Sequence, residues 1–375
     1  MYTIINAPTI DNIIMLSDIH LGVRNASIDW LDNIKSYFKD FFIPYITRVV
    51  DSEPKGKTAA LIVAGDFFDC RQHIDINVLN VGIDIMLQLS NIINVFMIVG
   101  NHDIYKKEEI DVNSLRIFQN FEHVYIIEEP SILSVSDDIK FALIPWVGSH
   151  QKENELLKDI KQYSDYAIMH ADISGLIYDN GRAILDGADA KVYGKKIYAG
   201  HIHKRQETTR VTYLGSPYQL KRSDLGNTKG VYSLRISDGR VHENFIKNTV
   251  SPIFIKVRFT DLLNDTFEKI KNSFYNNYVY VVMTKHESKE VNKSKLIDVL
   301  DECGARHLEF LIDSNSSDDE ISIIANKDLT INDIFLNNIN SFSDLNDNDK
   351  NSLINMNNSY LKEANEELSN LNIIS

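Results

Sequence analysis

Five short polar blocks in the sequence carry residues whose types could bind metal ions. They read "SDIH", "GDFFD", "GNHD", "HAD" and "GHIH", and each follows a short apolar run. Their oxygen and nitrogen donors are Asp18, His20, Asp66, Asn101, His170, His201 and His203. Such donors without cysteine suit hard or borderline ions such as Mn²⁺, Fe²⁺ or Zn²⁺. The set is too large for one ion but fits two ions, with one carboxylate bridging them.

Each block taken alone has an ordinary structural explanation. An Asp-x-His after a strand is commonly a capping or turn device, "GNHD" could be a turn, and "GHIH" could be a half-buried strand pair. Together the blocks predict two ions that clamp the attacking and leaving oxygens of a phosphoryl transfer and acidify a shared water. A phosphoester is the substrate class that this chemistry indicates.

The apolar runs before these blocks predict the strands of an α/β layered domain. They include "IIML" 13–16, "AALIVA" 59–64, "NVFMIV" 94–99 and "YAIM" 166–169, and helical spacing marks segments 29–50 and 75–90. Continuous apolar strands separated by helices indicate a sheet that is buried on both faces. Ligands of such sheets bind at the carboxyl ends of the strands. The polar blocks are therefore expected to share one site.

The pattern changes past about Lys229. The runs "GVYSLRI", "RVHENFI" and "PIFIKVRF" predict antiparallel strands, and the segments after Pro252 predict a small α+β domain. Beyond about Asn338 the chain is rich in Asn and Ser, and segment 350–371 has apolar residues near helical spacing. The predicted domains are therefore 1–250, 251–337 and 338–375, the last comprising a linker and a C-terminal helix.

Composition limits the class of protein. A chain of 375 residues that is 43% hydrophobic and 25% charged is typical of a globular protein. We expect no signal peptide, the sequence contains no apolar run of roughly 20 residues, and the two cysteines indicate a reducing compartment. We expect a cytoplasmic protein without membrane contact, in the host cytoplasm if it is phage-encoded. The net charge of −14 argues against adhesion to nucleic acid over the whole surface, but it permits local contact.

The blocks resemble the calcineurin-like metallophosphoesterases. That series is Asp-x-His, Gly-Asp-x-x-Asp, Gly-Asn-His-Asp, His and Gly-His-x-His, and it is present here complete and in order. The resemblance implies two sets of ligands, namely Asp18, His20 and His203 for one ion, and Asn101, His170 and His201 for the other, with Asp66 bridging.

The resemblance also implies catalytic roles for two residues that are not ligands. His102 would stabilise charge on the phosphate or protonate the departing oxygen, and Asp69 would orient and charge its imidazole. Asp103 is expected to support its loop by hydrogen bonding. The Arg-Gly and Asn-His-Glu signatures of protein Ser/Thr phosphatases are absent, since the chain reads "GDFFDCRQ" and "GNHD".

A further block, "VTYLGSPYQLKRSDLGNTKGVYSL" at 211–234, resembles the SbcD-type double-strand-break repair nucleases and their phage counterparts, the recombination endonuclease subunits. The small domain after Pro252 resembles their capping domain. The likeness implies a Mn²⁺-dependent 3′→5′ exonuclease on duplex ends and an endonuclease on single strands, with Mg²⁺, Fe²⁺ or Zn²⁺ as other possible ions. It also implies two partners, DNA and an SMC-like coiled-coil ATPase of the SbcC type.

Three surface features fit such partners. Basic residues near the last blocks could hold DNA phosphates or form a solvated rim, the candidates being Lys204, Arg205, Lys221 and Arg222. The resemblance implies a homodimer formed through helices that follow the second and third blocks. Segment 75–90 fits it, because it carries more apolar residues than one core-facing stripe requires, with deep burial in the monomer as the alternative. Segment 350–371 is expected to bind the ATPase, with a frayed tail as the alternative.

Two other functions stay open. The first is a phosphodiesterase that acts on small nucleotides, and the second is a non-catalytic scaffold subunit with a relic fold. The complete ligand set and His102 argue against the relic. The Gly-Ser-Pro block and the extra C-terminal domain argue against the small-molecule enzyme.

Overall fold

The computed structural model describes residues 2–106, 110–136 and 138–313, together with residues 350, 352 and 354. The chain up to Ser314 forms one compact unit, and the following paragraphs concern that unit. The C-terminal helix predicted at 350–371 lies outside the described residues except for three positions, which are helical. The predicted boundary at residue 337 also lies outside them.

The strands of this unit, numbered along the chain, are β1 (Thr3–Asn6), β2 (Ile10–Leu16), β3 (Thr58–Ala64), β4 (Asn94–Ile98), β5 (Val124–Ile127), β6 (Ser131–Ser134), β7 (Lys140–Ile144), β8 (Tyr166–His170), β9 (Lys196–Gly200), β10 (Gln206–Glu207), β11 (Val211–Tyr213), β12 (Gly230–Ser237), β13 (Arg240–Lys247), β14 (Phe254–Arg258), β15 (Tyr278–Met283) and β16 (His307–Ile312). The α-helices span Ile28–Tyr37, Ile43–Asp51, Ile76–Ser90, His150–Ile160, Ala190–Tyr193, Phe259–Asn264, Phe267–Phe274, Lys285–Glu290 and Lys293–Asp301. A π-helical turn lies at Phe38–Phe42, and 3₁₀ turns lie at Ser114–Phe118 and Arg222–Asp224.

Two central sheets carry the polar blocks. The first has the strand order β13-β12-β2-β3-β4-β5, and the second has the order β1-β6-β7-β8-β9-β11-β10. Strands β2 to β5 run parallel in the first sheet, as do β7, β8 and β9 in the second. Each sheet therefore collects the carboxyl ends of several strands at one edge.

The two sheets pack face to face between outer layers of helices. Met15 and Ile62 of the first sheet share a core with Phe141 and Ile168 of the second. The outer face of the first sheet packs on the helices between residues 28 and 90, and that of the second packs on the helix that follows β7. Because both faces are buried, the strands read as continuous apolar runs. The predicted α/β layered fold and its early helices are confirmed.

A third sheet of three parallel strands, β14-β15-β16, follows the central sheets. It packs its own apolar residues, including Phe274, Val279 and Val281, against the adjoining helices. The prediction of antiparallel pairing is confirmed for β12 and β13 but is wrong for "PIFIKVRF", since β14 pairs with β15 in parallel. Helices cross over between these two strands, and such a crossover returns the chain in the same direction.

An aromatic cluster joins the third sheet to the helix Ile28–Tyr37. The Trp30 ring stacks on Tyr278, with ring centroids 5.3 Å apart and planes 11° apart, and its centroid lies 6.2 Å from that of Phe254. Asn33 Nδ2 donates to the Tyr278 hydroxyl at 2.8 Å. The third sheet thus packs on the helix that follows the first polar block along the chain.

The turn that leads from the first block into this helix is left-handed. Arg24 and Asn25 have φ values of 58° and 54°, and Ala26 has a φ of 57°. Non-glycine residues in this region cost roughly 1–2 kcal/mol each.

No helix among the described residues combines the length and apolar character that a membrane span requires.

Candidate metal centre

The predicted ligands lie at the meeting edge of the two central sheets. Several of them have a strained main chain, with φ values of 55° at Asp18, 48° at His20, 54° at Asp66 and 90° at His201. Positive φ is uncommon for residues other than glycine, and strain of this kind clusters at functional sites. The strand ends are therefore held in unusual conformations where the polar side chains converge.

Asp18, His20 and His203 form what we call the first donor group. The Nε2 atoms of the two imidazoles face each other at 2.9 Å. His20 Nδ1 lies 3.0 Å from Asp69 Oδ1, and His203 Nδ1 lies 3.6 Å from Asp179 Oδ2. A carboxylate behind each ring favours a proton on Nδ1 and a lone pair on Nε2. The two lone pairs then point at the same space, and a cation there would remove their repulsion.

Asp66, His170 and His201, together with Asn101, form the second donor group. His170 Nδ1 lies 2.7 Å from the Ala64 carbonyl, which can only accept, so Nε2 of the neutral ring carries the lone pair. Nε2 faces Asn101 Oδ1 at 2.9 Å and Asp66 Oδ2 at 3.2 Å. Asn101 Oδ1 also lies 2.8 Å from His201 Nδ1. Converging acceptors of this kind fit a divalent cation.

Asp66, a member of the second donor group, also reaches the first. Its Oδ2 is 3.7 Å from His20 Nε2 and 3.2 Å from His170 Nε2. Its Oδ1 accepts a hydrogen bond from the backbone N–H of His102 at 2.8 Å. The position suits a bridging carboxylate. The structure thus brings together all seven residues that the sequence singled out as ligands, and the assignment of each to one ion stays a prediction.

Mutual burial shifts the pKa values of this cluster. Burial opposes the charge on His170, but the neighbouring Asp66 outweighs it and raises the pKa of His170 to about 9. Burial also opposes the Asp66 anion, but His170 and His20 hold the pKa of that carboxyl well below its usual range. Burial raises the pKa of Asp18. In the metal-free protein, protonated His170 therefore balances the Asp66 charge that a cation would balance.

His102 adjoins the first donor group. Its ring stands edge-on to that of His20, with centroids 4.7 Å apart, and its Nδ1 lies 2.6 Å from the Asp69 backbone carbonyl. That carbonyl fixes a proton on Nδ1 and leaves Nε2 to exchange a proton. Burial lowers the pKa of His102 in spite of the nearby Asp66. The ring is therefore predominantly neutral near pH 7 without a substrate.

The expected contact between the Asp69 carboxylate and His102 requires correction. That carboxylate lies against His20 Nδ1, and although it is within 4.8 Å of a His102 ring nitrogen, the hydrogen bond to the His102 ring comes from the Asp69 main-chain carbonyl. The Asp69 N–H donates to the Leu21 carbonyl at 3.1 Å, which keeps residue 69 beside the first block. The Asp69 carboxylate therefore orients the imidazole of a candidate ligand, His20, and not that of His102, for which the role was predicted.

Asp103 joins the second and third blocks. Its carboxylate accepts the backbone N–H groups of Gly100 and Asp66 at 2.9 Å, of Phe67 at 3.1 Å and of Phe68 at 3.3 Å. Four donors leave no capacity for a direct chemical role. The prediction that Asp103 supports its loop by hydrogen bonding is confirmed.

Two glycines of the blocks allow the sheets to approach each other. A Cβ at Gly65, which has a φ of +92°, would lie 2.2 Å from His170 Nδ1. A Cβ at Gly200 would lie 2.0 Å from Ser17 Oγ. Larger residues would therefore separate the strand ends that carry the ligands.

Residues 12–205, which contain all of the candidate ligands, match the family model of the calcineurin-like phosphoesterases. The chain belongs to the calcineurin-like phosphoesterase family. Membership of this family implies divalent metals, which the two donor groups fit. This phosphoesterase is also similar to exonuclease subunit 1 of Enterobacteria phage T4, with 26% identity over 367 residues, which are 94% of this chain and 99% of that protein.

Sequence reasoning missed several residues of this phosphoesterase that contact the candidate ligands. Asp179 lies behind His203, and Asp172 Oδ1 lies 3.5 Å from His201 Nε2. The Trp146 ring centroid is 5.0 Å from that of His201. Asp172 belongs to the "HAD" block, which was a usable signal. Asp179 and Trp146 lie in loops without a local pattern.

The basic residues considered for DNA contact have different surroundings. Lys221 Nζ lies 2.7 Å from Asp179 Oδ2, and Arg205 is ion-paired with a glutamate two residues on. The Arg222 guanidinium lies 5.1 Å from an aromatic ring of β15, and the Lys204 N–H donates to Asp179 Oδ1. Lys221 and Arg205 are thus partly neutralised within the protein.

Proposed function

We propose that this phosphoesterase is a DNA nuclease that uses two divalent ions, with Mn²⁺ as the expected metal. The observation that carries the proposal is the pair of converging donor groups, in which Asp66 of the second group also faces His20 of the first. In this assignment Asp18, His20 and His203 hold one ion, and Asn101, His170 and His201 hold the other. The similarity to a phage exonuclease subunit supports DNA as the substrate.

The chain's own residues provide the rest of the chemistry. When bound, two ions about 3.5–4 Å apart would clamp the reacting oxygens of the phosphodiester and acidify water. His102 exchanges a proton with the departing oxygen through Nε2, because the Asp69 carbonyl holds Nδ1. The negative charge of a bound phosphodiester favours the protonated ring, which opposes the effect of burial.

A cavity of about 540 Å³ adjoins His102. Asn25, Arg71 and Gln72 contribute polar side chains to its lining, and Phe68 and Val78 contribute apolar ones. Pockets of this size accept small organic groups. The cavity therefore supports a substrate that carries a nucleoside, and not a much smaller group, next to the scissile phosphate.

The test compares four substrates with the same protein and Mn²⁺: linear duplex DNA, single-stranded DNA, a cyclic nucleotide and an aryl phosphodiester. We expect both DNA substrates to be cleaved, and His203→Ala to abolish cleavage. Hydrolysis of the cyclic nucleotide without cleavage of either DNA would favour the small-nucleotide phosphodiesterase. Absence of hydrolysis of all four substrates by metal-loaded protein would favour the scaffold subunit.

We also infer that the chain works in a complex with a coiled-coil ATPase of the SbcC type. The similar phage protein is named a subunit, and segment 350–371 has apolar residues near helical spacing. Deleting residues 345–375 should spare hydrolysis of the aryl phosphodiester but abolish co-purification with the ATPase. Unchanged affinity of the truncated chain would place the docking site elsewhere.

A homodimer is part of the same proposal. The helix Ile76–Ser90 buries Val81 and Ile85 in the core but leaves Ile76 and Leu87 exposed by 74% and 44%. The double variant Ile76→Asp/Leu87→Asp should therefore sediment as a monomer. A wild-type chain that is already monomeric at micromolar concentration would exclude the dimer.

A further inference from the structure

The loop between β11 and β12, residues 214–229, contains the Gly-Ser-Pro triplet and ends at Lys229, and the proposed chemistry uses neither. It lies behind the first donor group. The buried Tyr218 hydroxyl donates to the Ile19 carbonyl at 2.6 Å. Ile19 is the residue between Asp18 and His20. One hydrogen bond from the loop therefore holds the peptide that connects two candidate ligands.

Lys229, from the end of the same loop, holds the third member of that group. Its ammonium donates to the His203 carbonyl at 2.6 Å, to Asp224 Oδ1 at 2.8 Å and to Ser216 Oγ at 2.9 Å. The Ser216 N–H donates to the same His203 carbonyl at 3.1 Å. All three ammonium protons are used, and Lys229 is only 6% exposed. Because breaking a buried ion pair is costly, these bonds restrict the movement of the ammonium and of the His203 carbonyl.

We propose that Tyr218 and Lys229 are positioning residues for the ion of the first donor group. This inference rests on the two-ion function proposed above. Asp18 and His20 both have left-handed φ values, which an unconstrained chain would relax. The hydrogen bond to the peptide between them opposes that relaxation, and the lysine fixes the main chain of the third ligand. The loop thereby sets the mutual distances of the donors of one ion.

The second donor group provides a matched comparison. The Tyr213 hydroxyl, at the end of β11, donates to the Ala171 carbonyl at 3.1 Å and accepts the Ile173 N–H at 2.7 Å. Ala171 directly follows His170. Tyr37 is a neutral control, because its buried hydroxyl has no hydrogen-bond partner among the described residues. Phenylalanine at each of the three tyrosines removes one buried oxygen and nothing else.

The experiment is a Mn²⁺ titration of metal-free Tyr218→Phe, Tyr213→Phe and Tyr37→Phe by calorimetry, with electron paramagnetic resonance to distinguish paired from isolated ions. Loss of a residue that orients metal ligands typically lowers metal affinity about 10–100-fold. We expect Tyr218→Phe to weaken one of two ions by that factor, so that isolated Mn²⁺ replaces the coupled pair. Tyr37→Phe should bind both ions as wild type does.

Two backgrounds identify the weakened ion. In Asn101→Ala, which impairs the second donor group, Tyr218→Phe should weaken the remaining ion. In His203→Ala, which impairs the first donor group, Tyr218→Phe should leave the remaining ion unchanged and Tyr213→Phe should weaken it. Melting temperatures of the metal-free proteins show whether each variant is folded.

Lys229→Met should act as Tyr218→Phe does, but it leaves Asp224 buried without its partner. Lys229→Met/Asp224→Asn removes that charge as well, and the tyrosine variants carry the test if neither lysine variant folds. Wild-type affinity for both ions in Tyr218→Phe would overturn the inference, as would equal weakening of both ions. A wild-type chain that binds one ion at saturation would instead overturn the proposed function.

Discussion

At the residue scale, the group behind each imidazole distinguishes a candidate ligand from a candidate acid. His20 has a carboxylate behind Nδ1, whereas His102 has the main-chain carbonyl of the same residue, Asp69. Burial lowers the pKa of His102, while the Asp69 carboxylate and its neighbours outweigh burial and raise the pKa of His20. Asp69 thus affects the two histidines differently, because its carboxylate lies against the His20 ring and its carbonyl is hydrogen-bonded to the His102 ring.

His102→Asn tests the chemical role of this ring. We expect single-turnover DNA cleavage to fall by about 10²–10⁴, the usual contribution of general acid–base catalysis, with both ions and DNA binding retained. His203→Ala, by contrast, should lower metal content itself. Metal analysis and cleavage on the same preparations separate the two effects. A His102 variant that loses an ion would show that this residue is a ligand.

Proton competition at His170 predicts the pH dependence of metal binding. The pKa of His170 is raised to about 9 in the metal-free protein, so an ion that binds the second donor group below that pH must displace a proton. Apparent Mn²⁺ affinity should therefore rise by about tenfold per pH unit between pH 7 and 9 and then level off. Calorimetry at pH 7 in two buffers of different ionisation heat measures the released proton. A pH-independent affinity would contradict the predicted ligand.

At the scale of elements, the unusual feature is the left-handed turn that connects the first block to the helix Ile28–Tyr37. Ala26→Gly should raise the free energy of unfolding by about 0.5–1 kcal/mol, because glycine removes the left-handed strain and this gain exceeds its entropic cost. Ala183→Gly is the control, since that exposed alanine has no positive φ and should become less stable. Urea denaturation gives both values. A loss of stability in Ala26→Gly would show that the turn is unstrained.

Much of this arrangement could be predicted from local patterns. Strands such as β3 are buried on both faces, and an uninterrupted apolar run ending in a polar block is sufficient to place Asp66 at a strand end. The direction of β14 could not be predicted, because alternation has the same period in parallel and antiparallel strands. The partner of the Asp69 carboxylate could not be predicted either, because it depends on the direction of the side chain. The partner of the Tyr218 hydroxyl could not be predicted because it is a main-chain carbonyl.

At the scale of the whole molecule, the third sheet is attached by an aromatic cluster and by a hydrogen bond to the loop behind the first donor group. Trp30, 5% exposed, stacks on Tyr278, and Gln219 Oε1 accepts the Phe254 N–H at 2.6 Å. Gln219 follows Tyr218, so the loop behind the first donor group also contacts the first strand of the third sheet. A displacement of that sheet would reach the candidate ligands through this loop as well as through the helix that carries Trp30.

Trp30→Ala should loosen this attachment. Removing a buried tryptophan costs about 3–5 kcal/mol, and here the loss falls on the contact between the third sheet and the rest of the unit. Amide hydrogens of β14 and β15 should exchange faster, while those of β3 and β4 stay protected. Tyr275→Ala, at a residue 67% exposed, is the control and should change neither. Equal acceleration in all four strands would indicate global destabilisation instead.

Each donor group takes its residues from both central sheets, and this has a consequence for the rate of unfolding. Ligands from positions as distant as Asp18 and His203 converge only after the sheets have docked, so the ions cannot help the chain to reach its folding transition state. Bound metal should slow unfolding and leave refolding unchanged. At free Mn²⁺ a hundredfold above the dissociation constants, each bound ion should lower the unfolding rate by about a hundredfold, since the stabilisation is about 2.7 kcal/mol per site. Stopped-flow measurements with Mn²⁺ and with chelator compare the two rates, and faster refolding in Mn²⁺ would mean that the ions bind an earlier, partly folded chain.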